Sequence, residues 1–236
     1  MKKILIFSIL LLFLAACGSS PSGTSDEKAV VEVYTTAYPL AYFTEQIGGK
    51  RVNVKSIYPA GANEHSFEPT QRDMISLAEA DLLFYIGLGL EGFIENAEDT
   101  LSKENVKFVR TSDAIPDEEL LQANDEHEEE GTEEGEEENH IETDPHVWIS
   151  PILSQKLAES IKESLIAEDP EGAELYEVNF EKLLRNLEQL DQAFTELSND
   201  ATNKTFFVSH AAFGYIAEAY FTLMEKNLSV LKTILK

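Results

Sequence analysis

The chain has 236 residues, with 44 Asp and Glu against 18 Lys and Arg, so its formal net charge is −26. At this length one large or two small domains can each bury a core. The acidic balance argues against nucleic acid or an anionic membrane surface as the ligand, because both demand a basic face.

The chain opens on Lys2 and Lys3, followed by the apolar run from Ile4 to Leu14 and by Leu14-Ala15-Ala16-Cys17. That run is shorter than the roughly 20 residues a bilayer span needs, so residues 1–16 read as a secretory signal. Its end resembles a bacterial lipobox, in which Cys17 is lipidated and becomes the mature N-terminus. Cys17 is the sole cysteine, so no internal disulfide is expected, and Gly18 to Ser25 reads as a flexible tether.

Strand and helix patterns then alternate. Val30 to Thr35 is rich in β-branched residues, Leu40 to Ile47 has helical spacing, and Val52 to Tyr58 returns to strand chemistry. Thr70 with Asp73 marks a helix start, with Met74, Leu77 and Ala78 on one face. Leu82 to Ile86 and Val106 to Val109 are further short strands. This order predicts an α/β fold whose parallel sheet is covered by helices and whose ligand edge lies at the strand C-termini. Gly87, Gly89 and Gly92 spell G-x-G-x-x-G, with Asp113 farther on as a dinucleotide fingerprint requires. Two strands precede this fingerprint, however, so it reads as a tight turn opening a helix.

Asp117 to Glu142 holds many carboxylates and no Lys or Arg, which predicts a mobile acidic loop. Its His127 and His140 read equally as accessory metal donors without fixed geometry and as part of a solvated insertion without function. Ser150-Pro151 then gives an N-cap and first helical residue for a helix through about Ile166. A second, long helix is expected from about Pro170, with Tyr176, Phe180, Leu183, Leu187, Leu190, Phe194 and Leu197 forming one apolar stripe. Thr205 to Ser209 reads as a strand ending at His210, and Phe213 to Tyr220 as a helix.

His65, His146 and His210 each fall at or near a strand end or just before a helix. Any one of them reads as a hydrogen-bonded side chain. Three together can converge on Zn²⁺ through neutral imidazoles, with a carboxylate or water in the fourth position.

Glu64-His65-Ser66-Phe67-Glu68-Pro69, Asp144-Pro145-His146-Val147-Trp148 and Ser209-His210-Ala211-Ala212-Phe213-Gly214-Tyr215 closely resemble the metal-binding segments of the zinc-specific substrate-binding lipoproteins of bacterial ABC importers, the cluster A-I or cluster 9 family. The resemblance extends to the lipobox, the Gly87-Leu88-Gly89-Leu90-Glu91 turn and the long helix, and reaches about Ala219. It implies a Rossmann-like N-terminal lobe and a second α/β lobe joined by a rigid connecting helix, with Zn²⁺ as the transported ligand held by His65, His146 and His210. Glu64 is a possible accessory donor, and the partners implied are the importer permease and, through the lipid on Cys17, the outer face of the cell membrane.

The expected organisation is a signal at 1–16, lipidated cysteine and tether at 17–28, first lobe at 29–149, helices at 150–200, and a remnant of the second lobe at 201–236. After Ala219 the remaining chain is short, and an internal deletion near Ala219 and Tyr220 is the expected cause. Two other function classes are open to the same residues: an adhesin or cell-surface interaction lipoprotein, and a zinc-dependent hydrolase.

Overall fold

A computed structural model describes residues 31–122, 143–202 and 212–221. Cys17 and the signal, His127 and His140, the expected strand Thr205 to Ser209 with His210, and the tail from 222 onward lie outside the described residues.

Strands β1 (Val31–Thr35), β2 (Val52–Ser56), β3 (Leu82–Tyr85) and β4 (Lys107–Arg110) form a parallel sheet in the order β2-β1-β3-β4. Register runs from Val31 opposite Val52, through Val33 opposite Leu82, to Leu82 opposite Lys107. Because β1 lies between β2 and β3, the chain reverses its direction of travel across the sheet there, leaving a crevice at the strand C-termini.

Alternation along β3 assigns the two faces. Leu82 and Phe84 join one core, with α1 (Tyr38–Gly48), α4 (Pro151–Glu168) and α5 (Ala173–Asp200). Leu83 and Tyr85 join the other, with α2 (Gln71–Ala78) and α3 (Ile94–Leu101). A strand buried on both faces must be apolar throughout, and Leu-Leu-Phe-Tyr is.

Helix ends follow local chemistry. Thr70 Oγ1 accepts from the Asp73 amide while the Asp73 carboxylate accepts from the Thr70 amide, a reciprocal cap on α2. Ser150 Oγ accepts from the Leu153 amide and Pro151 opens α4. The strand expected through Tyr58 stops at Ser56, whose hydroxyl accepts from the Tyr58 amide and turns the chain. A 3₁₀ turn over Pro170–Gly172 precedes the 28-residue α5, about 42 Å long.

The expected single stripe on α5 is divided in two. Tyr176, Phe180, Leu183 and Leu187 are buried, whereas Leu190 and Leu197 are 46% and 61% exposed. Phe194 stacks on Tyr220 of the final described helix, α6 (Gly214–Phe221), with ring centres 5.4 Å apart. The acidic segment also departs from expectation at its start: Asp117–Glu119 is a 3₁₀ turn, and Glu119 accepts from Lys156 at 2.9 Å. Where it returns, Thr143 pairs with Gln122 in an antiparallel bridge.

Candidate metal centre at the carboxyl edge

The glycine-rich turn shows first what this edge does not do. Gly87, Leu88 and Gly89 all have positive φ, at 87°, 56° and 81°, and a Cβ on Gly87 would lie 2.6 Å from Arg110 Cγ. Glu91 folds back beneath the turn, its Oε1 accepting from the Ile86 amide and Thr36 Oγ1 and its Oε2 from the Gly87 amide. A pyrophosphate cradle would need such amides for the ligand, and a carboxylate already occupies them. Burial pushes the Glu91 carboxyl up from its ordinary value, opposed by these hydrogen bonds. The helix that follows starts only at Ile94, so the turn ties the ends of β1 and β3 together instead of opening a dinucleotide site.

His146 lies just before the 3₁₀ turn Val147–Ile149 and is buried, at 6% exposure. Its Nδ1 is 2.7 Å from Asp144 Oδ1, which also accepts from the His146 amide at 3.0 Å. A carboxylate can only accept, so Nδ1 carries the hydrogen and, in the neutral ring, Nε2 carries the lone pair, the arrangement of a metal-ligating histidine braced by a carboxylate.

Asp144 is itself anchored. Its amide donates to the Leu121 carbonyl at 2.8 Å, and its own carbonyl accepts from the Tyr215 hydroxyl at 2.8 Å. That hydroxyl in turn accepts from the Leu121 amide at 3.2 Å. Burial pushes the Tyr215 phenol up to about 12, so it remains a donor at neutral pH. A Cβ on Gly214 would fall 2.6 Å from Asp144 Oδ2, so glycine is what lets α6 approach this carboxylate.

His65 occupies an exposed turn between β2 and α2. Its amide donates to Asn63 Oδ1 at 3.0 Å, an Asx turn. The His65 and His146 rings come together with centres 5.5 Å apart and planes inclined at 57°. Zn–N distances of 2.0–2.1 Å in tetrahedral geometry put two imidazoles sharing one ion roughly 5–6 Å apart. The donor set therefore suits zinc.

Two sequence-named histidines thus meet, while His210 lies outside the described residues and Glu64 contributes its carbonyl to a hydrogen bond from Tyr58. Among the described residues no group of three His, Cys, Asp or Glu side chains forms a metal cage. Asp144 has no role among the sequence expectations above, although a carboxylate two residues before a histidine is a recognisable Asx pattern. Tyr215 offered no such local signal.

Comparison with known proteins decides the family. Residues 33–231 match the model described as "ZnuA: Zinc-uptake complex component A periplasmic", a span that includes His65, His146 and His210. The chain belongs to the ZnuA family. It is 35% identical over 217 residues to the high-affinity zinc uptake system protein ZnuA of Bacillus subtilis, covering 91% of this chain and 67% of that protein. It is 36% identical over 225 residues to the zinc-binding lipoprotein AdcA of Streptococcus pneumoniae, covering 93% of this chain and 43% of that one. The crystal structure of Zn(II)-bound AdcA from Streptococcus pneumoniae superposes with a TM-score of 0.69 at 32% identity, over 82% of this chain and 38% of that one. The chain therefore spans from under half to about two thirds of the length of these relatives. The family is one of zinc-uptake components, not of enzymes.

Proposed function

We propose that this protein is an extracytoplasmic high-affinity zinc-binding lipoprotein, anchored through lipidated Cys17, that delivers Zn²⁺ to the permease of an ABC importer. The observation that carries this reading is the His65 and His146 ring pair, one ring braced by Asp144, in a chain of the ZnuA family. His65, His146 and His210 are the zinc ligands in this proposal. The assignment of His210 as a ligand draws support from residues that follow it in the chain, since Gly214 and Tyr215 pack against the Asp144 that braces His146. Imidazole donors favour Zn²⁺ over Mn²⁺, which prefers oxygen ligands.

Residues 29–149 are the metal-facing first lobe in this reading, α5 is the connecting element, and the acidic segment with His127 and His140 is a weak collector of cations outside the tight site. Among the described residues no helix is long and apolar enough to cross a membrane. The family assignment favours uptake over the adhesin and hydrolase readings.

Competition titration of the purified chain against a chelator tests the proposal. One tight Zn²⁺ per chain is expected, with Mn²⁺ far weaker, and loss of the tight site when His65, His146 and His210 are all changed to Ala. Undiminished zinc affinity in the triple variant would remove the ligand assignment.

A further inference from the structure

The turn that bears His65 is shaped by local hydrogen bonds. The Ala62 amide donates to the Pro59 carbonyl at 3.1 Å, the Ser66 amide to the Asn63 carbonyl at 3.3 Å, and the His65 amide to Asn63 Oδ1 at 3.0 Å. Such bonds fix the outline of a turn but not its placement over the sheet.

Placement draws on the residues that enter and leave the turn. The Tyr58 ring meets the Phe67 ring edge to face, with centres 4.9 Å apart at 78°. Both rings pack edge to face on Phe93, at 6.4 Å and 5.8 Å, and Phe93 is fully buried in the second core. The Tyr58 hydroxyl then reaches across the turn and donates to the Glu64 carbonyl at 3.3 Å.

That carbonyl and the His65 amide belong to one peptide unit. Tyr58 holds its oxygen and Asn63 holds its N–H, so the plane is fixed from both sides. A fixed peptide plane places the His65 N–Cα bond, and the Ser66 amide bonded to the Asn63 carbonyl holds the next peptide, so together they set the direction of the bond from His65 Cα to its side chain. Burial raises the Tyr58 phenol above its ordinary value, which keeps the hydroxyl a donor.

We propose that Tyr58 is a positioning residue for zinc binding: its ring fastens the exposed turn to the core, and its hydroxyl sets the peptide that aims His65 at the metal. The inference rests on the zinc reading above and extends it to a residue that does not itself touch the ion.

A double-mutant cycle on the purified full chain, read by zinc titration and by the rate of zinc release to a chelator, tests it. Tyr58→Phe keeps the ring and removes only the hydroxyl, and an apo melting curve checks that it stays folded. It should weaken zinc binding by about tenfold, mainly through faster release, as loss of a group that orients a metal ligand does. His65→Ala should weaken binding further, and adding Tyr58→Phe to it should then change nothing. A merely structural tyrosine would lower affinity by the same factor with or without His65. That result, or a Tyr58→Phe variant with the parent's affinity and release rate, would overturn the proposal. Equal zinc binding by the parent and by His65→Ala would overturn the ligand assignment itself, and the role of Tyr58 with it.

Discussion

The two edges of the sheet are held in opposite ways. At the amino edge, Arg51 leads into β2 and donates through Nε and Nη2 to both carboxylate oxygens of Asp169, each at 2.5 Å, and the Tyr176 hydroxyl donates to the same carboxylate at 2.6 Å. The ion pair is nearly dry, with side-chain exposures of 6% and 11%, and locks the corner between α4 and α5 onto the sheet. At the carboxyl edge, one histidine is buried and braced while the other stands on an exposed turn. The first edge is closed by a buried ion pair, whereas the second pairs a buried, carboxylate-braced ring with an exposed ring whose turn is fastened from beneath.

The largest expected effect belongs to the locked edge. Asp169→Asn leaves the buried Arg51 uncompensated and should lower stability by about 3–5 kcal/mol at neutral pH, read by urea unfolding. Its pH dependence has a definite sign. Arg51 foremost, then Tyr176, hold the Asp169 carboxyl below its ordinary value, so its contribution is complete above the usual aspartate pKa of about 3.9. It is lost as pH falls through the folded-state value, and the gap between parent and variant should close below about pH 4. If the edges are separate, zinc affinity of the folded variant stays within about twofold of the parent; a larger loss would show that the lock reaches the metal edge.

The next contrast lies within the carboxyl edge. His65→Ala and His146→Ala each remove a proposed ligand and should weaken zinc binding by more than about 100-fold, beyond what loss of an outer partner causes. Their apo proteins should differ. His65 is exposed, so its loss should shift stability by no more than about 0.5 kcal/mol. Removing His146 strips Asp144 of a buried partner and should cost about 1–3 kcal/mol. Equal apo stabilities would erase the distinction between the buried and the exposed ring. Asp144→Asn sharpens it at smaller scale: an amide can hold the ring less firmly and no longer adds charge, so zinc should weaken by about 10- to 100-fold.

Much of this was legible in the sequence wherever the cause is local. The reciprocal cap at Thr70 and Asp73, the Ser150-Pro151 start of α4 and the apolar run of β3 each depend on residues within a few positions of one another. The stripe on α5 shows where local reasoning stops. Its period identifies the face correctly through Leu187, but Leu190 and Leu197 are exposed while Phe194 between them packs on Tyr220, a break that periodicity does not reveal. The site divides in the same way. His65 and His146 stand in recognisable segments, whereas what holds them is assembled across the chain: Tyr215 reaches Asp144 from 71 positions away, and Phe93 completes the ring cluster beneath His65.

The smallest expected effect concerns the acidic segment, and the chain geometry at its base makes the experiment clean. Gln122 and Thr143 face each other as an antiparallel pair, and the Asp144 amide donates to Leu121 at 2.8 Å one step farther in. The bond from the Asp144 amide to Leu121 makes Gln122 and Thr143 a non-hydrogen-bonded pair, and an Asn-Gly turn closes on a hydrogen-bonded one. One residue is therefore kept on each side, and residues 124–141 are replaced by that dipeptide without disturbing the bridge beside Asp144. Glu118 and Glu119 are spared, because Glu119 pairs with Lys156 on α4. Charges in water are screened over a Debye length of about 8 Å at physiological ionic strength, so the replacement should leave tight zinc affinity within about threefold. Weaker, salt-sensitive uptake of additional metal should disappear, because the carboxylates with His127 and His140 are gone. Loss of the tight site instead would make His127 or His140 a ligand and dissolve the division between a site built on Asp144 and a segment that merely gathers cations near it.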